Sequence, residues 1–375
     1  MSESAAGRRL RVVGIGAGAG IFNSHLRGIA AVGGIDVVGV QDLSLERIQS
    51  IAERAGCPAF QDVGALLQHG RDRGADLAVI TTPHPFHAEL AIRCLEAGLD
   101  VLTEKPMAVE VAEADRMVAA AERTGRQLTV VFQYRLRSEV IAARRAVQEG
   151  AIGVIQRVDL LATWPRRKGY FEVAPWRGTW NGEGGGVLIN QGQHDLDVLE
   201  FVVGHPSRVM AWHRTQLHAI ETEDTISAMA EWPNGAHGFI HISTAEFDEE
   251  QRLEITGTGG RLRLTKFRLE LIRNDVDMRD HAVSSGNAYE PLPTLAPEIV
   301  EGADVSHADV YRELLDARAN GRPAAATGAS ALQTLELTNA LTYSAHSGRE
   351  ARLPLDRAGY GELLRSLRAG SGPRR

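Results

Sequence analysis

Lysine is nearly missing from this chain: three of its 41 basic residues are lysine and the rest are arginine. Cysteine is as scarce, with Cys57 and Cys94 alone, no CxxC pair and no secretory signal, a pattern that suits a reducing, cytoplasmic setting. No apolar run reaches the ~20 residues a membrane span needs. No basic patch carries interleaved aromatics. A net charge of −7 and a pI near 6.0 argue against nucleic acid or an anionic membrane as partner. What remains is an ordinary globular composition, 43% apolar and 24% charged, in 375 residues, enough for two or three domains. The first seven residues, small and polar, read as a disordered tail.

Against that scarcity, Lys105 stands out in the run Thr103-Glu104-Lys105-Pro106, after a short apolar strand and before a helix-like run over Val109–Arg123. A lysine at the carboxyl end of a parallel strand sits where open α/β sheets bind ligands. A compact ammonium can lie beside a reacting atom and shift its pKa, which a guanidinium does poorly. A plain surface lysine in a strand-to-helix turn is the alternative.

The strand Arg9–Val13 runs into Gly14-Ile15-Gly16-Ala17-Gly18-Ala19-Gly20, then a helix through Ile21, Phe22 and Leu26, then a strand Ile35–Val40 closed by Gln41-Asp42. This is one βαβ unit of the dinucleotide-binding kind, with a pyrophosphate on the helix N-terminus and Asp42 on the adenosine ribose hydroxyls. The carboxylate would repel a 2′-phosphate, so NAD is favoured over NADP. Two glycine registers fit, Gly14/Gly16/Ala19 and Gly16/Gly18/Ile21. Strands at Asp76–Ile80, Asp100–Leu102 and Gln127–Phe132 alternate with helices, which predicts a doubly wound parallel sheet over residues 1–133.

After Gln133 the rhythm changes. Ile155–Thr163 alternates as a strand, an aromatic and basic loop follows (Trp164 to Phe171, then Trp176-Arg177), and Gly182–Gly186 leads to Asn190, His194 and Asp197. Five or six strands are predicted between Val209 and Ile272, with a hairpin at Asn234-Gly235 and two closing helices, His307–Asn320 and Ser330–Ser347. Residues 134–375 are thus expected to form an α+β domain on a large, mainly antiparallel sheet, for substrate binding and oligomerisation. His194 and Asp197, three apart at a helix start, share a face, so the carboxylate could orient the imidazole. Asn190 lies one turn earlier. A satisfied structural histidine is the alternative.

Together these residues resemble the Gfo/Idh/MocA (glucose–fructose oxidoreductase, inositol dehydrogenase) family. The carriers are the GxG turn with Asp42, the TPxxxH-like Thr82–His87, the EKP of Glu104–Pro106, and Trp176-Arg177 with Gly184–Gly186 through His194. The resemblance implies an NAD(P)-dependent dehydrogenase of a sugar, polyol or glycoside, with oxidation of a secondary hydroxyl, at carbon 3 in some branches. It implies catalytic roles for Lys105 and His194, which flank the nicotinamide and the reacting carbon. Lys105 hydrogen-bonds the reacting oxygen while His194 takes the hydroxyl proton, since hydride loss leaves a developing oxocation unless the proton also leaves. Cofactor contacts are expected from Gly16, Gly18, Ile21, Phe22, Asp42, Thr82, Pro83, His87, Glu104, Lys105, Gln133 and Arg177. Substrate contacts are expected from Asn190, Tyr134, Trp164, Arg166, Trp176 and Asp197. No metal is called for. Many members carry Asp where Asn190 stands, which puts the weight of proton transfer on His194.

Two other classes stay open: an enzyme with tightly held NAD whose net reaction is not redox, of the glycosidase kind that oxidises, eliminates and re-reduces, and a non-catalytic dinucleotide-binding regulator. Arg166, Arg167 and Lys168 could meet a phosphate, a carboxylate or only solvent. An open sheet with an apolar outer face predicts a homodimer or homotetramer through that sheet.

Overall fold

A computed structural model of the chain describes residues 8–284 and 286–370; the tail expected at residues 1–7 lies outside them. The chain divides into two compact units. One runs to Gln133 and resumes over Val305–Leu335, and the other comprises Tyr134–Asp304 and the chain from Glu336 onward.

In the first unit β1 (Leu10–Ile15), α1 (Phe22–Val32), β2 (Ile35–Gln41), α2 (Leu45–Ala55), β3 (Ala59–Phe60), α3 (Val63–Asp72), β4 (Leu77–Ile80), α4 (His87–Glu96), β5 (Asp100–Thr103), α5 (Val111–Thr124) and β6 (Leu128–Val130) alternate along the chain. The strands form one sheet in the order β3-β2-β1-β4-β5-β6, every pairing parallel. That is the predicted doubly wound sheet, and its order reverses between β1 and β4, the switch point where such sheets bind ligands. Val13, Ile15, Ala78, Ile80, Val101 and Leu102 are fully buried, as expected of strands covered on both faces. Local signals set the helix ends: the Ser44 side chain accepts from the Arg47 amide, the Asp62 side chain from the Ala65 amide, and α2 ends on left-handed Gly56.

The second unit begins with α6 (Ser138–Gln148), β7 (Ile155–Thr163), α7 (Lys168–Glu172), α8 (Gln193–Val203) and β8 (Arg208–Arg214). It continues with β9 (Thr225–Glu231), β10 (His237–Ser243), β11 (Glu250–Gly257), β12 (Gly260–Thr265), β13 (Arg268–Arg273), α9 (Met278–Val283) and β14 (Glu298–Glu301). After α10 (His307–Ala319) come α11 (Gly328–Ser347), β15 (Ala351–Arg352) and α12 (Arg357–Arg368). The sheet runs β14-β13-β12-β11-β7-β10-β9-β8-β15, antiparallel except where β7 and β10 pair in parallel. Six strands, β8 to β13, occupy the stretch for which five or six are expected. The edge strands β14 and β15 are too short for a periodic pattern to register. The helix α12 lies beyond the two closing helices expected from the sequence, and Asp356 caps it, accepting from the Ala358 amide. One face of the sheet carries Val158, Leu160, Ala228, Ala230, Ile240 and Ile242, all buried, while Trp212, Met229 and Phe239 on the other are 53%, 47% and 40% exposed.

The helix α10 belongs to the first unit because it packs closely on α1. A Cβ on Gly28 of α1 would lie 2.8 Å from the His307 carbonyl carbon, so only glycine admits the approach. A division at Gln133 places this helix in the second domain, whereas its contacts group it with the first unit. Among the described residues no helix is long and apolar enough to cross a membrane.

Candidate functional site

The first unit gathers one group of residues at the carboxyl ends of β1, β2, β4 and β5. Gly16 adopts φ +71°, and a Cβ there would meet Thr82 at 2.5 Å, so the glycine turn lies directly against the loop after β4. The Thr81 hydroxyl ties the same two loops, donating to the Ile15 and Gly16 carbonyls at 3.1 and 3.0 Å. Asp42 closes the third side: one carboxylate oxygen accepts from the Gly18 amide at 3.0 Å and the other from the Ser44 amide at 3.1 Å. A Cβ on Gly18 would sit 2.6 Å from that carboxylate. Gly14 serves packing instead, since a Cβ there would strike the Phe22 ring at 2.4 Å.

The residues fit the dinucleotide that the resemblance implies. Gly16 and Gly18 carry no side chain in the turn before α1, and an acid closes β2. The Oγ1 of Thr82 and the Oε1 of Gln133 are buried with no hydrogen-bond partner among the described residues. Buried polar atoms of this kind ask for a partner. Ile21, at the start of α1, is 38% exposed, and Pro83 is half-buried.

Three expected cofactor contacts are corrected. Phe22 is buried beneath Gly14 and faces the core. His87 is fully buried, its Nδ1 2.8 Å from the Pro106 carbonyl and its Nε2 2.7 Å from the Thr82 carbonyl, so it braces two loops and presents no free edge. Glu104 turns inward: its Oε1 accepts from His25 Nε2 at 3.1 Å and His307 Nε2 at 2.9 Å, and its Oε2 from the Lys105 amide at 3.3 Å. Burial would raise the Glu104 carboxyl, but these bonds outweigh it and hold the group well below the usual carboxylate range. Lys105 itself is half-buried.

The second unit gathers the other group around the start of α8. There His194 is half-buried while Gln193 and Asp195 on either side are buried. The Tyr134 ring lies 4.6 Å from the His194 ring at 30°, and the Arg137 guanidinium caps the other aromatic contact 3.4 Å from the Tyr134 centroid. Trp164, at the end of β7, donates from its indole to Asp195 at 2.8 Å. Burial pushes the Asp195 carboxyl up to about 7, the Trp164 bond opposing it. Asn190 donates to Tyr170 Oη at 3.0 Å and to Glu183, and the Arg177 guanidinium reaches the same Tyr170 oxygen. Arg166 lies over the Trp164 and Tyr170 rings, 5.8 and 5.1 Å from their centroids, and Arg177 lies 4.8 Å over the half-buried Trp176.

Asp197 is a further correction. It is fully buried, and its carboxylate takes three bonds from Arg135 at 2.5, 2.9 and 3.1 Å, so it is an internal ion-pair partner and not a surface that meets substrate. Three residues were not singled out from the sequence. Tyr170 is the hub of the loop's hydrogen bonds. Glu183 accepts from the Gly178 amide at 2.6 Å. Glu223 accepts from the amides of Gly186 and Leu188, at 3.0 and 3.2 Å through one oxygen, and so shapes the glycine run before His194. No local signal could have found these acids, because their partners are backbone amides far along the chain.

Comparison with known proteins follows the same lines. A model of the oxidoreductase family NAD-binding Rossmann fold matches residues 10–132, and one of the GFO/IDH/MocA C-terminal domain matches residues 140–263. A D-apiose dehydrogenase of Paraburkholderia graminis is 27% identical over 90% of this chain and 88% of its own. A D-glucoside 3-dehydrogenase of Escherichia coli is 31% identical over 60% of this chain and 62% of its own. The solved WlbA dehydrogenase of Bordetella pertussis, in complex with NADH and UDP-GlcNAcA, superposes with a TM-score of 0.78 at 28% identity, covering 93% of this chain and all of that one.

Proposed function

The chain belongs to the GFO/IDH/MocA oxidoreductase family and is an NAD(P)-dependent dehydrogenase, and from that premise we propose that it oxidises a secondary hydroxyl of a sugar, polyol or glycoside. The observation that carries the reading is the Asp42 carboxylate held against the Gly18 amide at the switch point of the sheet. That arrangement supports NAD over NADP, because a 2′-phosphate would meet a fixed anion. NAD, when bound, supplies the hydride acceptor. Lys105 donates a hydrogen bond to the reacting oxygen, and His194 accepts the hydroxyl proton. Tyr134, against the His194 ring, limits the orientations open to the imidazole. Asn190, oriented by Glu183 and Tyr170, offers hydrogen bonding to a second hydroxyl, and the faces of Trp164 and Trp176 suit a sugar ring.

The relatives named for apiose, glucoside and inositol oxidation support a carbohydrate substrate, and the glucoside 3-dehydrogenase supports carbon 3 as the first position to test. The test is a screen of monosaccharides, disaccharides, inositols and glycosides with NAD and with NADP, read by the absorbance of reduced nicotinamide. Turnover with NAD and loss of turnover in Lys105→Ala with NAD binding intact are expected. A protein that binds NAD and turns over none of these would refute the reading. We propose further that the exposed Trp212, Met229 and Phe239 face a second copy of the chain. Met229 pairs across the sheet with Phe239, and Trp212 lies on the same face opposite Ser227. A monomer by light scattering at micromolar concentration would contradict this.

A further inference from the structure

The residue before the proposed catalytic lysine is held more firmly than a turn requires. His25 of α1 and His307 at the start of α10 both direct Nε2 at one oxygen of Glu104, 3.1 and 2.9 Å away. Behind them His25 Nδ1 lies 2.9 Å from the Tyr311 hydroxyl, and His25 and Tyr311 are fully buried.

The proton positions follow from the charge on Glu104. An ionised carboxylate only accepts, so each histidine donates from Nε2. With His25 neutral, its Nδ1 holds a lone pair that accepts a hydrogen bond from the Tyr311 hydroxyl. The chain Tyr311 to His25 to Glu104, with His307 donating from the other side, is complete with a neutral His25. Burial favours that form, since it lowers the His25 pKa. None of the four residues has a buried side-chain polar atom without a partner.

This arrangement is costly for mere stability. A buried charged cluster can be replaced by apolar residues with little loss or even a gain. Here the anion is kept one residue before Lys105, at the carboxyl end of β5, and its second oxygen holds the Lys105 amide. His87 holds the Pro106 carbonyl on the other side of the lysine.

We propose that His25 and His307 are positioning residues for Lys105, acting through Glu104 to fix the Glu104–Pro106 turn in the orientation turnover needs. The proposal rests on the reading that Lys105 hydrogen-bonds the reacting oxygen. One ligating atom each from His25, Glu104 and His307 lies within 4.8 Å of the other two and would also suit a divalent ion, but the hydrogen bonds close without one.

His307 is the better position to test, because it is partly exposed and at a helix start. Glutamine can replace its Nε2–H donor, and leucine cannot. His307→Leu should lower kcat roughly 100-fold, as expected for a misplaced catalytic group, with NADH affinity by fluorescence and melting temperature near wild type. His307→Gln should recover most of that loss.

Wild-type kcat in His307→Leu would overturn the proposal, and so would equal impairment of the Leu and Gln variants. Stoichiometric Zn2+ binding by calorimetry that disappears in His307→Leu would overturn it too, in favour of a metal centre. Lys105→Ala is measured alongside. If it turns over as wild type, the lysine reading fails. If it is inactive while His307→Leu is fully active, only the present proposal fails.

Discussion

The pair Arg135–Asp197 gives the sharpest separation between a residue that meets substrate and one that holds the fold. Asp197 shares a helix face with His194 and looks from its spacing like a substrate or imidazole partner. In the structure it is fully buried, Arg135 is 4% exposed, and three N–O contacts of 2.5 to 3.1 Å join them. Asp197→Asn keeps the shape and removes the charge, leaving a guanidinium buried without its anion. Breaking a buried pair from one side costs about 3–5 kcal/mol. At about 2–4 °C per kcal/mol for a domain of this size, the melting temperature should fall by roughly 10 °C. The assay is thermal unfolding followed by circular dichroism, with steady-state kinetics at a temperature where the variant is folded. Replacing both partners, Arg135→Met with Asp197→Leu, should return most of the stability because neither charge is then stranded. A single variant that melts within about 2 °C of wild type but shows a raised KM would refute the structural assignment and restore a substrate role.

Two further predictions follow from the same unit. Gly186→Ala should prevent the glycine run from closing, since the new Cβ would fall 1.8 Å from the Glu223 carbonyl oxygen; wild-type solubility and melting would contradict this. Asp195 carries a pH signature. Its folded carboxyl is raised by burial to about 7 from an ordinary 3.8, so the folded state prefers the neutral acid. The stability this contributes is fully present below about pH 4 and is lost as pH rises towards 7. Asp195→Asn mimics the neutral form, so its melting temperature should gain on wild type between pH 4 and 7; a constant difference across that window would show that Asp195 is ionised throughout.

Part of the candidate site's arrangement is legible from local chemistry. Asp42 was found because an acid closing the second strand of a βαβ unit has one place to point, and it does sit against the glycine turn. His194 is singled out because a glycine run before a helix start sets it apart from the other histidines, and it lies half-buried beside the Tyr134 ring. The inward turn of Phe22 was not legible, because both a cofactor contact and a core contact put an apolar residue on that first helical turn. Nor was that of His87 or Glu104, whose partners lie in other loops.

The order of apolar strands and helices, read in sequence, is enough to specify a parallel sheet, its crossovers and the end of it where ligands bind, because parallel strands buried on both faces must be apolar throughout and joined by helices. The six strands that follow are equally explicit, since a sheet with one buried face writes its period into the chain. Which polar residues meet one another was decided only on folding. His25, Glu104, His307 and Tyr311 come from three separated segments, and nothing near any of them in sequence records the others. Burial alone turns such residues from solvated surface groups into obligatory partners, because a charge or amide taken out of water must find its hydrogen bonds inside.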